Sequence, residues 1–249
     1  MLTALRLTRV AVHLLIGFAG ALVLARLSDA ARLDFMRWWA GGLLAALGVR
    51  LDRNADTAVR APALLVANHV SWLDVIALVA AQPATFVCKS EIAAWPGIGW
   101  LLTRAGTIFI RRGSVRDVWR VNMELRERFA VRRCVAVFPE GTTTAGDEVL
   151  AFRPALFQPA VEHGLPVYPV AIAYSSPAAA YTGETSFLES LVAICGATEL
   201  TVHFALLPPL KTGLTRRQAA VQARGAICSR LAQGFFVQDR AVEILDLNP

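Results

Sequence analysis

"ALLVANHVSWLDVIALVAA" (residues 63–81) joins an apolar run to a helical pattern through a short polar turn. The run 63–67 is typical of a buried strand, and the spacing of apolar residues predicts a helix over 71–81. A strand, a tight turn and a helix in this order form the unit from which α/β domains are built. The stretch therefore predicts a sheet covered by helices.

The same alternation continues along the chain. We predict further strands at 85–89, 106–110, 134–138, 167–174 and 200–206, and further helices at 115–130, 155–163 and 214–232. Because strands that alternate with helices pair largely in parallel, residues 51–249 are predicted to form one α/β domain. Its sheet is expected to be largely parallel or mixed and flanked by helices, with 175–186 as a surface loop.

Residues 1–50 form an apolar segment ahead of this domain. "VAVHLLIGFAGALVLA" (10–25) lies between arginines, and "FMRWWAGGLLAALGV" (35–49) contains two tryptophans suited to a membrane interface. As a helix the first run reaches roughly 24 Å, short of the ~30 Å hydrocarbon core of a bilayer. We expect two membrane-associating helices that dip into one leaflet; a single span or a signal peptide are the alternatives.

The composition restricts the class of protein. Hydrophobic residues make up 55% of the chain and the mean hydropathy is +0.49, which is high for an ordinary cytosolic protein. The net charge of +6 indicates an anionic partner, such as phospholipid headgroups, nucleic acid or an acidic substrate. The scattered cysteines and histidines lack the spacing of metal ligands, so we expect no metal site.

His69 and Asp74 in the polar turn have two interpretations. Ser71 and Asp74 have the spacing of a capping box, in which the turn would be purely structural. Alternatively, the Asp74 carboxylate binds one ring nitrogen of His69, and the other nitrogen can then deprotonate a hydroxyl group. The two interpretations are compatible, and the turn follows the carboxyl end of a strand, where α/β proteins place their chemistry.

Other predicted strands also end in polar residues. Lys89 ends one strand, Arg111 and Arg112 follow another, and Pro-Glu-Gly (139–141) follows a third. Because the carboxyl ends of parallel strands share one edge of a sheet, we expect these residues to converge with His69 on one cleft.

Four blocks of the sequence resemble those of a known enzyme family. "NHVSWLD" (68–74), "GTIFIRR" (106–112), "FPEGTTT" (138–144) and "LPVYPVAIAY" (165–174) are similar, in this order, to blocks of the glycerolipid acyltransferases related to 1-acylglycerol-3-phosphate O-acyltransferase (PlsC-type). The resemblance implies an enzyme on the cytoplasmic face of the inner membrane. It implies acyl transfer from acyl-ACP or acyl-CoA to the free hydroxyl of a lysolipid, with no cofactor.

The resemblance also implies roles for individual residues. His69 would be the general base and Asp74 would orient it. Lys89, Arg111 and Arg112 would hold the acceptor's headgroup. The full set of implied substrate-binding residues is Lys89, Arg111, Arg112, Glu140, Gly141, Thr142 and Pro169.

Thr143 departs from the family pattern. Relatives that act on lysophosphatidate usually carry an arginine there, and its loss removes a bidentate phosphate contact. Arg111, Arg112 or Arg153 can compensate, or the acceptor can lack a phosphomonoester, as lyso-ornithine lipid does. Both acceptors stay open, with lysophosphatidate, which would give phosphatidate, first because it is the family's commonest acceptor.

A non-catalytic membrane protein is the alternative from another class. Residues 111–133 contain eight arginines against three acidic residues, a pattern that binds phosphates. We expect this segment to face anionic lipid headgroups, and we expect no nucleic-acid partner.

Overall fold

One sheet organises the molecule. The computed structural model describes residues 1–54, 58–111, 113–183 and 185–234, so the predicted substrate-binding residue Arg112 lies outside the described residues. Within them the strands are β1 (Val49–Asn54), β2 (Ala63–Ala67), β3 (Thr85–Lys89), β4 (Ile108–Ile110), β5 (Cys134–Val137), β6 (Val167–Tyr174) and β7 (Leu200–Leu206).

The strands lie in the order β1-β7-β6-β2-β5-β3-β4. Neighbouring strands are parallel except for β6 and β7, which are antiparallel. The sheet is therefore mixed, as predicted. The carboxyl ends of β2, β3, β4 and β5 share one edge, and this edge carries the candidate site.

Helices cover both faces of the sheet. They are α1 (Leu2–Val23), α2 (Asp29–Leu47), α3 (Leu73–Ala81), α4 (Ile98–Arg104), α5 (Val115–Ala130), α6 (Gln158–Glu162), α7 (Phe187–Gly196) and α8 (Arg216–Ala232). Residues of α1, α2, α3 and α7 share a core with one face of the sheet, and residues of α5, α6 and α8 share a core with the other. The predicted α/β class with flanking helices is confirmed.

The N-terminal segment differs from the prediction in its boundaries. α1 begins at Leu2, so its 22 residues are long and apolar enough to cross a membrane, and only 17% of its most apolar window is buried. α2 ends at Leu47, because Gly48 adopts a left-handed conformation (φ 77°) that stops the helix. Buried residues of α2 pack into the same core as one face of the sheet.

Three elements were not predicted. β1 follows directly after Gly48 and pairs with β7, and α4 and α7 lie in stretches where no helix was expected. For α7 the signal exists in the sequence, because Ser186 and Glu189 form a complete capping box at its start. The predicted strand 106–110 is shorter than expected, since Gly106 has a positive φ of 83° and β4 begins at Ile108.

Candidate active site

The polar turn after β2 is fixed to the neighbouring strand β6. The Asn68 side chain donates to the Ile172 carbonyl (2.9 Å) and accepts from the Ile172 N–H (2.8 Å). Asn68 is buried, so water does not compete for these bonds. This pair of bonds sets the position at which the next residue, His69, leaves the sheet.

His69 and Asp74 are in direct contact. The His69 Nδ1 atom lies 2.7 Å from Asp74 Oδ2, which also accepts from the backbone N–H groups of Val70 (2.7 Å) and Ser71 (2.9 Å). Asp74 is fully buried in the first turn of α3. The bond from Ser71 N–H is half of a capping box, whereas the Ser71 hydroxyl accepts from Leu73. One carboxylate therefore caps the turn and holds the imidazole.

The His69 ring is held in one plane. It stacks on Phe138, with ring centroids 4.1 Å apart and an interplanar angle of 18°. The side chain is 17% exposed and lines a cleft. Because Nδ1 is engaged by Asp74, Nε2 is the ring nitrogen left to receive a proton from a molecule in the cleft.

Glu140 supports this turn from the loop after β5. Its Oε1 accepts from the His69 N–H (2.7 Å) and its Oε2 from the Leu150 N–H (2.8 Å). Burial raises the pKa of Glu140 above its ordinary value of 4.5, and the two backbone hydrogen bonds oppose that rise. Both of its carboxylate oxygens are therefore engaged by backbone N–H groups of the protein.

Tyr174 is a member of the site that the sequence did not reveal. Its hydroxyl donates to Asp74 Oδ1 at 2.6 Å. Burial, followed by the charge of Asp74, raises the pKa of Tyr174 well above its ordinary value of 10. The only signal in the sequence is that the fourth block ends in tyrosine at the strand end nearest the turn.

A cleft of about 580 Å³ runs from His69 towards the N-terminal helices, within the size range of pockets that bind small molecules. At its polar end it is lined by Lys89, Arg111, Gly141, Thr142 and Arg153, which include four of the predicted substrate-binding residues. Its apolar end is lined by side chains of α1 and α2, among them Leu14, Phe35, Met36 and Trp39. Pro169 is buried in β6 and is not among the lining residues.

Thr143 ties a second segment to the site. Its hydroxyl donates to the carbonyl of Tyr181, and the N–H of Tyr181 donates to the carbonyl of Val70 (3.0 Å). Residues 181–183 line the cleft. Part of the predicted surface loop 175–186 therefore lines the cleft, and the hydrogen bond from Thr143 to Tyr181 attaches this part of the loop to the site.

The described side chains at the cleft suit proton transfer and anion binding. Across residues 1–54, 58–111, 113–183 and 185–234, no group of three or more His, Cys, Asp or Glu residues could hold a metal ion. A buried carboxylate, an imidazole at the cleft wall and several cations can instead take a proton from a hydroxyl group and bind an anion beside it.

Comparisons with known proteins identify the family to which the chain is similar. Residues 49–173 match the sequence model of the family described as Acyltransferase. The chain is 42% identical to the lyso-ornithine lipid O-acyltransferase of Pseudomonas aeruginosa over 197 residues, which cover 77% of this chain and 76% of that protein. It is 37% identical over 155 residues to the 1-acyl-sn-glycerol-3-phosphate acyltransferase of Neisseria meningitidis, which cover 62% and 61% of the two chains.

A solved structure has the same fold. The 1-acyl-sn-glycerophosphate acyltransferase PlsC of Thermotoga maritima superposes with a TM-score of 0.69 at 21% sequence identity. The match covers 93% of this chain and 95% of that one.

Proposed function

This chain belongs to the acyltransferase family, and from that premise we propose that it moves a fatty acyl group from acyl-ACP or acyl-CoA to the free hydroxyl of a lysolipid. The observation that carries the assignment of roles is the contact between Asp74 and His69 Nδ1 at the wall of the cleft. It leaves Nε2 on the substrate side, where a general base must be.

The reaction needs only these groups and the two substrates. Nε2 of His69 takes the proton of the lysolipid hydroxyl as its oxygen attacks the thioester carbonyl carbon. The new C–O ester bond forms, the C–S bond breaks, and the departing thiolate takes the proton from the imidazolium. Asp74 stabilises the imidazolium during transfer and keeps Nδ1 protonated before it. No covalent acyl-enzyme and no cofactor enter this scheme.

The acceptor is proposed to be a lysolipid whose headgroup carries a phosphate or a carboxylate group. Lys89, Arg111 and Arg153 bring positive charge to the cleft that His69 also lines. Lyso-ornithine lipid is favoured by Thr143, whose hydroxyl is engaged with Tyr181, and by the Pseudomonas relative. Lysophosphatidate is the second candidate, favoured by the number of cations and by the Neisseria relative.

The apolar end of the cleft is proposed to take a fatty acyl chain. Its lining comes from α1 and α2, the helices that also carry exposed apolar residues. An acyl chain lying between these helices would place its thioester near the polar end. Buried apolar area of this kind supplies binding energy at about 25 cal/mol per Å².

We further propose that residues 1–50 hold the enzyme on the cytoplasmic face of the inner membrane, while residues 51–249 carry the reaction. α1 exposes Leu2, Leu5, Leu15 and Leu22, and α7 exposes Leu188 and Val192. A buried side chain of α1, Arg6, connects α1 to α7 by hydrogen bonds. It donates to the carbonyls of Cys195 and Ala197 at the end of α7. Apolar faces of this kind, with arginines nearby, suit a bilayer that contains anionic lipids.

An acceptor panel tests the function. Purified full-length protein in nanodiscs is given radiolabelled acyl-ACP or acyl-CoA with lysophosphatidate, with lyso-ornithine lipid, or without acceptor. We expect labelled diacyl product together with one free thiol per product molecule, and little thiol release without acceptor. Thiol release that does not depend on an acceptor would indicate a hydrolase, and the absence of both products would contradict acyl transfer.

A further inference from the structure

Asp74 receives a hydrogen bond that its contact with His69 does not require. The Tyr174 hydroxyl donates to Oδ1 at 2.6 Å, while His69 Nδ1 and two backbone N–H groups all use Oδ2. The two oxygens of one carboxylate therefore have separate partners. One holds the turn and the imidazole, and the other faces a single phenol.

The topology of the sheet makes this contact possible. Tyr174 is the last residue of β6, and β6 is parallel to β2, with Val170 opposite Ala67. The ends of the two strands therefore reach the same edge, which brings together two residues 100 positions apart in the chain. Asn68 also joins β2 to β6, through two hydrogen bonds to Ile172, which lies two residues before Tyr174. These bonds fix the relative position of the two strand ends at which the phenol of Tyr174 contacts the carboxylate of Asp74.

The phenol is the donor in this bond. Burial and the charge of Asp74 raise the pKa of Tyr174 well above 10, so the hydroxyl keeps its proton through the neutral range. An ionised carboxylate can only accept hydrogen bonds. The bond therefore withdraws charge from Asp74 and opposes rotation of its carboxylate.

We propose that Tyr174 is a positioning residue that acts on His69 through Asp74. It holds Oδ2 towards Nδ1 and limits how strongly the carboxylate attracts the imidazole proton. This role rests on the proposed function of His69 as general base. The hydrogen bond and its effect on the imidazole titration can nevertheless be measured without turnover.

Loss of the phenol hydroxyl has a defined direction. Oδ1 would be left without its donor in a buried place, and the carboxylate would attract the imidazole proton more strongly. The imidazolium would then persist to higher pH, where it cannot act as a base. Other charged or titratable groups line the cleft or contact the turn that carries His69. They are unchanged in every variant, so their effect on the His69 titration is the same throughout: Glu140, Lys89, Arg111, Arg153 and Tyr181.

Tyr174→Phe tests this role, with Tyr168→Phe as the matched control. Tyr168 is buried on the same strand, and its hydroxyl accepts from the Arg60 N–H at 3.3 Å, away from the cleft. Full-length protein labelled with ¹⁵N-histidine is titrated in nanodiscs, and the His69 resonance is identified by its absence in His69→Gln. We expect the midpoint of that resonance to move to higher pH in Tyr174→Phe and to stay in place in Tyr168→Phe.

Kinetics provide a second readout. At pH 7 we expect kcat of Tyr174→Phe to fall about tenfold and the KM for the acyl donor to change less than about twofold. The acid limb of the kcat profile should move to higher pH together with the resonance.

Site-specific 3-fluorotyrosine at position 174 covers the case in which Tyr174→Phe does not fold. Fluorine makes the phenol a stronger donor at nearly the same volume, so the midpoint should move to lower pH. Unchanged midpoints in both variants, or an equal shift in Tyr168→Phe, would overturn the role of Tyr174. A shifted midpoint in a protein that transfers no acyl group would support that role and contradict the proposed function instead.

Discussion

The described residues include two histidine–aspartate pairs of nearly equal geometry. His69 Nδ1 lies 2.7 Å from Asp74, and His203 Nδ1 lies 2.8 Å from Asp52. In the first pair the carboxylate is fully buried and the imidazole reaches the cleft; in the second the imidazole side chain is 6% exposed and the carboxylate side chain 53% exposed. The carboxylate is thus the more buried partner in the first pair, and the imidazole is the more buried partner in the second.

This inversion shows what makes a pair of this kind suitable for catalysis. Asp52 and His203 lie opposite each other on the paired strands β1 and β7, and His203 is not among the residues that line the cleft. A base must present its free nitrogen to the substrate, and a carboxylate that supports it is most effective away from water. Contact distance alone does not distinguish the two pairs, but burial and the position of the cleft do.

The largest difference between the pairs is expected from amide substitutions. Asp74→Asn removes the charge that stabilises the imidazolium, although Asn can still face the Tyr174 hydroxyl and the backbone of the turn. We expect kcat to fall by roughly 10³-fold with little change in the melting temperature. Asp52→Asn is the control and should retain nearly full turnover, so equal losses in steady-state assays of the two variants would remove the distinction.

Glu140→Gln removes the carboxylate that accepts from the backbone N–H of His69 in the first pair. The amide cannot accept from both the His69 and Leu150 N–H groups, so we expect a loss of about 1–3 kcal/mol of stability and a lower kcat. Chemical denaturation measures the first quantity, with the exposed Glu148→Gln as control.

The pH dependence of this loss has a definite sign. A carboxyl group whose pKa is raised by folding contributes stability below its unfolded value, and this contribution is lost as the pH rises through the folded value. The stability deficit of Glu140→Gln should therefore be largest near pH 4.5 and narrow at higher pH. A deficit that widens with pH would mean that the two hydrogen bonds outweigh burial.

A smaller effect is expected from the cations of the cleft. Lys89 is half-buried and lines the cleft, whereas the chain's second lysine, Lys211, is exposed and does not. Lys89→Gln should raise the KM for an anionic lysolipid about tenfold, because it removes one charge from the acceptor's surroundings. Lys211→Gln should leave the KM unchanged, and a rise in both variants would point to a general effect of net charge at the membrane.

The smallest effect is expected from an ion pair that lies in water. Arg133 binds Asp29 and lowers the pKa of that carboxyl, so this contact contributes above the unfolded pKa and is lost as the pH falls. Because the pair is exposed, Asp29→Asn should change neither turnover nor the melting temperature by a measurable amount at pH 7. A clear fall in the melting temperature would show that this contact anchors α2.

The sequence predicted those parts of the site that are close together in the chain. The strand 63–67 and the turn are local, and the hydrophobic pattern predicts them. The contact between His69 and Asp74 was one of two interpretations of that turn. Glu140 was expected near His69 because parallel strands share one edge, but its bond to the His69 backbone across 71 positions left no periodic signal. The contact of Tyr174 with Asp74 across 100 positions left none either. β1 was missed for a similar reason, since a strand at the sheet edge depends on its pairing with β7, 151 positions away.

For some residues, the role that the family resemblance implies differs from the contacts that the structure shows. The resemblance assigns Glu140 and Pro169 to the substrate, whereas the first contacts the backbone of His69 and the second is buried in β6. A motif records that a residue type occurs in a block but not whether its side chain points to the cleft or supports a neighbour. Gly141 and Thr142, from the same block as Glu140, do line the cleft.

Matched glutamine substitutions in the two histidines test the central claim most directly. Glutamine can donate to the partner carboxylate in either pair but cannot act as a base at neutral pH. In acyl-transfer assays on full-length protein with the better acceptor, we expect His69→Gln to lose at least about 10³-fold in kcat and His203→Gln to stay within about threefold of wild type. Turnover close to wild type in folded His69→Gln would show that the reaction does not depend on this imidazole.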